Sequence, residues 1–354
     1  MWSLSRSWGW SKEDCILHAL PLHHIHGIVN ALHCAHFNGA RVDFLSPFSP
    51  QKIWKRLQEG DVTLFMGVPT MYAHLLSWYD SVSSSEQASM REAASGLRLF
   101  VCGSAACPAP VMKRWQDVTG HRLLERYGMT ELGMALSNPL KGERRQNSVG
   151  IPLPGVDVKI VESPTQQGIT SSVETPLAGS HKPTRPGDPS LHVPRGPGEL
   201  RVRGETLFKE YWGMPDETNA AFDDNGYFKT GDTAVLEGAP PYYRILGRTN
   251  VDIIKSGGYT ISALEIESCI LEHPAVAECA VVGLPDEIHG QVVAAVAACS
   301  DGSSLSLDDL REFCKDILAA YKMPQRLRVV SSIQRNAMGK VNKMDLVKLF
   351  PDGV

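Results

Sequence analysis

The chain has 354 residues, 43% of them hydrophobic and 21% charged, and 35 Lys+Arg against 39 Asp+Glu leave a net charge of -4. That is globular composition with room for two or three cores, and the slight acidity argues against a nucleic-acid partner, whose phosphates require basic patches. Apolar runs such as Val276 to Leu284 are too short to span a bilayer, and the eight cysteines follow neither a disulfide framework nor a Cys-x-x-Cys pattern, so they read as small buried residues in a reducing compartment.

Taken in order, the chain opens on a histidine-rich stretch: His18, His23, His24, His26, His33 and His36 lie before residue 40. A metal site is disfavoured, because no acid or cysteine stands at ligand spacing and His24 and His26 would face opposite sides of a strand. Pro21 to Gly27 reads instead as a strand end and turn that delivers rings to a pocket wall. Ser49 caps and Pro50 opens a helix that buries Ile53 and Leu57 and closes at Gly60. A strand is expected over Val62 to Met66, a helix from Pro69, and a strand over Leu97 to Cys102 that leads into Gly103-Ser104-Ala105. Strands alternating with helices at this spacing predict an α/β layer with a largely parallel sheet, whose ligands gather at the carboxyl ends of strands.

Glu125-Arg126-Tyr127-Gly128-Met129-Thr130-Glu131 then packs a cation, a ring, a flexible position, a hydroxyl and a carboxylate into one predicted loop. Such a set suits a nucleotide, with a ring for the base, a hydroxyl for a phosphate and a carboxylate for Mg²⁺; a turn into a capped helix is the plainer alternative. Residues 163 to 198 are rich in Pro, Ser, Thr and Gly and read as a long surface loop. A strand is expected over Glu199 to Arg203, and another runs from Tyr227 into a turn carrying Asp232, which is either an Asx-turn residue or an acceptor for two ribose hydroxyls. Beyond Gly247-Arg248 the pattern becomes a second compact unit. Ser262 to Glu265 is a capping box for a helix to Leu271, strands follow over Val276 to Val282 and Val292 to Ala298, Ser306 caps a helix through Leu318, and a last helix follows Gly339-Lys340.

The motifs form a set: Leu20 to Gly27, Tyr127 to Glu131, Gly198-Glu199-Leu200, Tyr227 to Asp232, Gly247-Arg248 with Ile254 to Gly258, and Arg335 to Lys340. In order and spacing, over almost the whole chain, they resemble the adenylate-forming superfamily of acyl-CoA synthetases, luciferases and peptide-synthetase adenylation domains. Leu124 to Glu131 is similar to the malonyl-CoA and methylmalonyl-CoA synthetases within it. The resemblance implies the multidomain α/β acyl-CoA synthetase fold: residues 1–247 as the C-terminal part of a large AMP-binding domain, 248–252 as a hinge with Asn250 at its pivot, and 253–354 as a small mobile C-terminal domain. It also implies ATP, Mg²⁺ and CoA as co-substrates and cofactor, the small molecules malonate or methylmalonate, ATP and CoA as partners with no nucleic acid, and a mitochondrial matrix location, with the cytosol open for this form.

By the same resemblance Gly103, Ser104, Ala105, Tyr127, Gly128, Asp232 and Arg248 hold the nucleotide. Thr130 contacts the α-phosphate, Glu131 binds Mg²⁺, and Lys340 reaches over the reacting oxygens. Lys255, Gly257 and Gly258 would meet CoA. Arg126 and Ser104 would hold the second carboxylate of a dicarboxylic acid, since a guanidinium offers a bidentate fork, with His24 and Met129 shaping the pocket and His74 where bacterial relatives offer an arginine. A salt bridge from Arg126 to Glu125 or a neighbour is the plainer reading of that cation. The family's Ser/Thr/Gly-rich phosphate loop should precede Leu20 and has no counterpart in these residues, which implies a truncated form with reduced stabilisation of pyrophosphate. Three functions stay open: malonyl-CoA synthesis, impaired in this form; a non-catalytic nucleotide-binding or interaction fragment; and activation of a monocarboxylic fatty acid.

Overall fold

A computed structural model describes residues 1–162, 172–174, 196–300, 302–335 and 341–350. Lys340 and most of the 163–198 segment lie outside the described residues. The chain divides into two compact units, one of residues 1–195, 200–230 and 236–244, the other of residues 196–199, 231–235 and 245–354.

The first unit is built on strands β1 (Cys15–His18), β2 (Arg41–Phe44), β3 (Leu64–Gly67), β4 (Leu99–Cys102), β5 (Leu124–Met129), β6 (Gly133–Ser137) and β7 (Ile151–Pro152). They form one sheet in the order β2-β1-β3-β4-β5-β6-β7, parallel from β2 to β5 and antiparallel from β5 to β7. Strands β1, β3 and β4 are buried along their whole length, as strands covered on both faces must be. The helices Pro50–Leu57, Pro69–Ser81 and Ala109–Thr119 bring Trp54, Tyr72, Tyr79 and Trp115 together with Phe65 and Phe100 of the sheet. The Trp115 ring lies 4.8 Å from Tyr72 and 5.1 Å from Phe100, both edge to face, an arrangement that favours aromatic pairs beyond the area they bury.

Local expectations held where caps and breakers fix an end. The Ser49 side chain accepts from the Lys52 N–H, with Pro50 at the first helical position. Three expectations need correction. Pro21 to Gly27 is no strand end: a turn leads into a π-helix over His26–His33. The Glu125 to Glu131 segment is no loop: it runs along β5 and turns into β6, because the loop-like motif carries Leu124 and Glu125 into a buried strand whose hydrogen bonds go to both neighbours. Asp232 sits inside a continuous strand, so it is not an Asx-turn residue.

The remaining strands are β8 (Val156–Glu162), β9 (Ser172–Glu174), β10 (Gly198–Gly204), β11 (Phe228–Glu237) and β12 (Tyr242–Arg248), in a second sheet ordered β12-β11-β10-β8-β9. A third sheet belongs to the second unit, with β13 (Ile253–Ser256), β14 (Tyr259–Ser262), β15 (Val276–Asp286), β16 (Gly290–Cys299) and β17 (Arg326–Val330). Strands β15 and β16 pair along nearly their whole length, and their alternating residues feed two apolar clusters, one on each face. Helix Ala263–Ile270 is capped by Ser262, which accepts from Glu265 N–H at 3.2 Å. The helix expected from Ser306 to Leu318 is shorter, Leu307–Cys314, but carries a full capping box from Ser306 and Asp309.

Candidate active site

Strand β5 sends Glu125 and Arg126 to opposite faces, and both are buried. The Arg126 guanidinium lies against the backbone of Gly103, where any Cβ would come within 2.5 Å of its Cζ. Glycine is required there to admit the cation. Arg126 Nη2 donates to Ser104 Oγ at 3.4 Å, Ser104 Oγ lies 3.3 Å from His26 Nδ1, and Arg126 Nε has no partner among the described residues. No carboxylate among the described residues faces the guanidinium; the titratable groups beside it, Cys102 and Tyr72, are themselves pushed by burial toward their neutral forms, and burial depresses the Arg126 pKa to about 10. The salt bridge to Glu125 weighed from the sequence is therefore absent. At neutral pH this is a buried cation with one hydrogen-bond partner among the described residues, a costly arrangement unless an anion completes it.

Ser104 adopts φ 70, a left-handed conformation that a residue with a Cβ rarely takes. Its loop is held from below, where Glu125 Oε1 accepts from Cys107 N–H at 3.0 Å while Oε2 has no partner among the described residues. Burial raises the Glu125 carboxyl to about 7, against the lowering effect of the Cys107 hydrogen bond.

Arg126 can only donate, so the Ser104 oxygen accepts from it, while the direction of the Ser104–His26 contact follows the imidazole tautomer. Burial and the Arg126 charge push the His26 pKa well down, which favours the neutral ring. Its Nε2 is buried and without a partner among the described residues.

Further along β5, Tyr127, Gly128 and Met129 are half-buried and Thr130 is exposed at the β5–β6 turn. Gly128 is demanded by packing, since a Cβ would lie 2.1 Å from the Gly133 carbonyl. The Glu131 carboxylate accepts from Tyr211 OH at 3.2 Å, and its carbonyl accepts from Phe208 N–H at 2.7 Å. His24 is half-buried with its ring 4.3 Å from that of His23, and His74 is exposed on the helix Pro69–Ser81. The structure thus brings Gly103, Ser104 and Arg126 together and adds His26; it gives no contact between His74 and that group.

The other expected residues belong to the second unit. Asp232 Oδ1 lies 3.1 Å from Arg248 Nε, and Thr233 pairs with Thr249 at 2.9 Å. Asn250 occupies the exposed turn between β12 and β13. Lys255 Nζ donates to Thr260 at 2.8 Å, and Gly257 and Gly258 form the β13–β14 turn at φ 54 and φ 84, where a side chain would be strained. Two carboxylates that the sequence did not single out, Asp252 and Glu267, receive the buried ammonium of Lys343 at 2.6 and 2.7 Å. His26 and Glu125 were equally missed as site residues, because only the fold reveals that their polar atoms are buried and incompletely paired.

Residues 1–212 match the AMP-binding enzyme family and residues 265–340 the AMP-binding enzyme C-terminal domain. The mitochondrial malonate–CoA ligase ACSF3 of Mus musculus is 48% identical, covering 99% of this chain and 60% of its own length. Among solved structures, ATP-bound MatB from Rhodopseudomonas palustris superposes with a TM-score of 0.81 at 34% identity, over 99% of this chain and 63% of its own. A malonyl-CoA ligase in a ternary product complex with methylmalonyl-CoA and AMP gives a TM-score of 0.58 at 36% identity, over 94% of this chain and 65% of that one. The chain therefore spans about 60% of the length of the relatives it matches.

Proposed function

The chain belongs to the AMP-binding enzyme family, and from that premise we propose that its site serves ATP-dependent ligation of malonate or methylmalonate to CoA. The observation that carries the reading is the buried Arg126 guanidinium, with Ser104 as its one partner and no carboxylate opposite it among the described residues. A monocarboxylic fatty acid would bring an alkyl chain to that cation and leave it uncompensated. A dicarboxylic acid brings the missing charge. The ATP-bound MatB and the malonyl-CoA ligase among the structural relatives support the same substrate class.

In the proposed reaction the second carboxylate docks on Arg126 and the first attacks the α-phosphate of ATP, giving an acyl-adenylate and pyrophosphate; the CoA thiol then displaces AMP. Tyr127 is placed in the reading as the adenine neighbour, and Thr130 as the donor to the α-phosphate. Glu131 fits a single-carboxylate role toward Mg²⁺: its described partner is the neutral Tyr211 hydroxyl, which leaves lone pairs for a cation shared with the phosphates. When bound, Mg²⁺ would neutralise charge on those phosphates. Asp232 and Arg248 are assigned to the ribose, and Lys255, Gly257 and Gly258 to CoA. A matrix location is proposed from the mitochondrial ligase of Mus musculus.

The test is binding and turnover with malonate, methylmalonate and octanoate. Malonate should raise the melting temperature of the 354-residue chain, and Arg126→Met should abolish that rise while leaving the shift caused by AMP intact. Octanoate binding that survives in Arg126→Met, with no malonate effect in either protein, would overturn the assignment. Pyrophosphate release on adding malonate would extend the reading from binding to catalysis.

A further inference from the structure

The π-helix His26–His33 holds two buried polar side chains, four residues apart and hence on neighbouring positions of one helical face. The first, His26, is tied to Ser104 and through it to Arg126. The second, Asn30, is 0% exposed, and neither its Nδ2 nor its Oδ1 has a partner among the described residues. Its immediate helix neighbours Gly27, Ile28, Val29 and Ala31 are apolar or small, and His33 lies one turn on. An aliphatic side chain at position 30 would pack without stranding an amide, so folding alone gives no reason for asparagine there. π-Helical turns, moreover, concentrate at functional sites.

Two orphan donors, Arg126 Nε–H and Asn30 Nδ2–H, and the imidazole nitrogen His26 Nε2 are each buried and each without a partner among the described residues. Among those residues no anion answers them, and the group carries one net positive charge. The complementary ligand is an acceptor with several lone pairs and a negative charge, which describes a carboxylate.

We infer that Asn30 is a further specificity-determining residue of this site, donating its amide N–H to the carboxylate that Arg126 neutralises, with Oδ1 accepting from an ordered water. This rests on the dicarboxylate reading above. Arg126 supplies the charge, and Asn30 supplies a directed hydrogen bond that distinguishes a carboxylate end from an alkyl end. Removing it should weaken dicarboxylates while leaving monocarboxylates of similar size unaffected.

The experiment titrates the full 354-residue chain with malonate, methylmalonate and propanoate, by calorimetry and thermal shift. Asn30→Leu should weaken malonate about tenfold, the size expected for losing one hydrogen bond to a charged group, and leave propanoate unchanged. Asn30→Asp should abolish malonate binding and raise the melting temperature of the ligand-free chain, because a carboxylate on the helix then takes the place of the ligand beside Arg126. Asn30→Ala, which cannot overpack, repeats the malonate measurement should the leucine variant fail to fold. Malonate affinity within about twofold of the parent in Asn30→Leu or Asn30→Ala overturns the inference, since that is less than one such hydrogen bond contributes. Loss of malonate in Arg126→Met alone overturns Asn30 and leaves the dicarboxylate reading intact, whereas a parent chain indifferent to malonate overturns both.

Discussion

Glu125 and Arg126 sit side by side in the chain yet carry opposite costs on opposite faces of one strand. Glu125 is protonated over a range where an ordinary glutamate is ionised, since burial lifts it to about 7. The unfolded chain releases this proton near its ordinary value of 4.5 and the folded chain only near 7, so between those values the native state binds more protons. The contribution of Glu125 to stability therefore falls as pH rises through that window and levels off above it, opposite in sign to that of the buried His26, whose depressed pKa favours the folded chain as pH rises. Glu125→Gln keeps an oxygen for the Cys107 N–H and removes the titration. Urea unfolding of parent and variant from about pH 5 to about pH 8 should show the Glu125 contribution disappear from the difference between them. At the upper end the variant should be more stable by up to on the order of 3 kcal/mol, since each tenfold difference in proton affinity between folded and unfolded chain corresponds to about 1.4 kcal/mol. Arg126 imposes a second cost, and Arg126→Met should raise the ligand-free melting temperature, a gain of about 1–3 kcal/mol for relieving an unpaired buried charge. Equal or lower stability in Arg126→Met would mean that the guanidinium is already compensated.

The β5–β6 hairpin is the element that turns the signature motif into a site. Read as a string, Tyr127 to Glu131 suggested a loop, because Gly, Thr and Glu are turn and cap residues. Register decides otherwise: Arg126 pairs with Ser137 and Met129 with Gly133, so the motif is strand up to its last two residues. Gly128 makes this possible by letting the Gly133 carbonyl and Met134 side chain close over it. Gly128→Ala forces a clash with backbone, which cannot rotate away; the expected cost is on the order of 3 kcal/mol or more, read as a lowered melting temperature and lost AMP binding. The π-helix shows the reverse: its apolar and small residues gave no sign of a wide helical turn, and only the contact of His26 with Ser104 shows which face meets the Arg126 group.

Across the second unit, residues far apart in sequence meet at one ammonium. Lys343 joins Asp252, beside the β12–β13 turn, to Glu267 on the helix Ala263–Ile270. The two carboxylates hold its pKa up against the opposing effect of burial. Lys343→Met would leave two carboxylates facing one another without a cation, and the second unit should lose about 3–5 kcal/mol, the range for breaking a buried pair from one side. Calorimetry should resolve this as an earlier transition for residues 245–354 while malonate binding at Arg126 persists. A variant melting with the parent would show the bridge to be dispensable.

By itself the sequence determined the alternation of strands and helices, the caps at Ser49, Ser262 and Ser306, and the family, because those signals are local or lie in short motifs whose order is readable along the chain. It also singled out Arg126 and Ser104. What it did not contain was the environment: that Arg126 has no carboxylate partner among the described residues, that Glu125 faces the other way, and that His26 and Asn30 carry orphan polar atoms. Burial and pairing are properties of the atoms brought in from distant segments, and here those came from β4, β5 and the π-helix, which stand far apart along the chain. Only the tertiary structure could decide them, since the cost of an unpaired polar group exists only once water has been excluded from it.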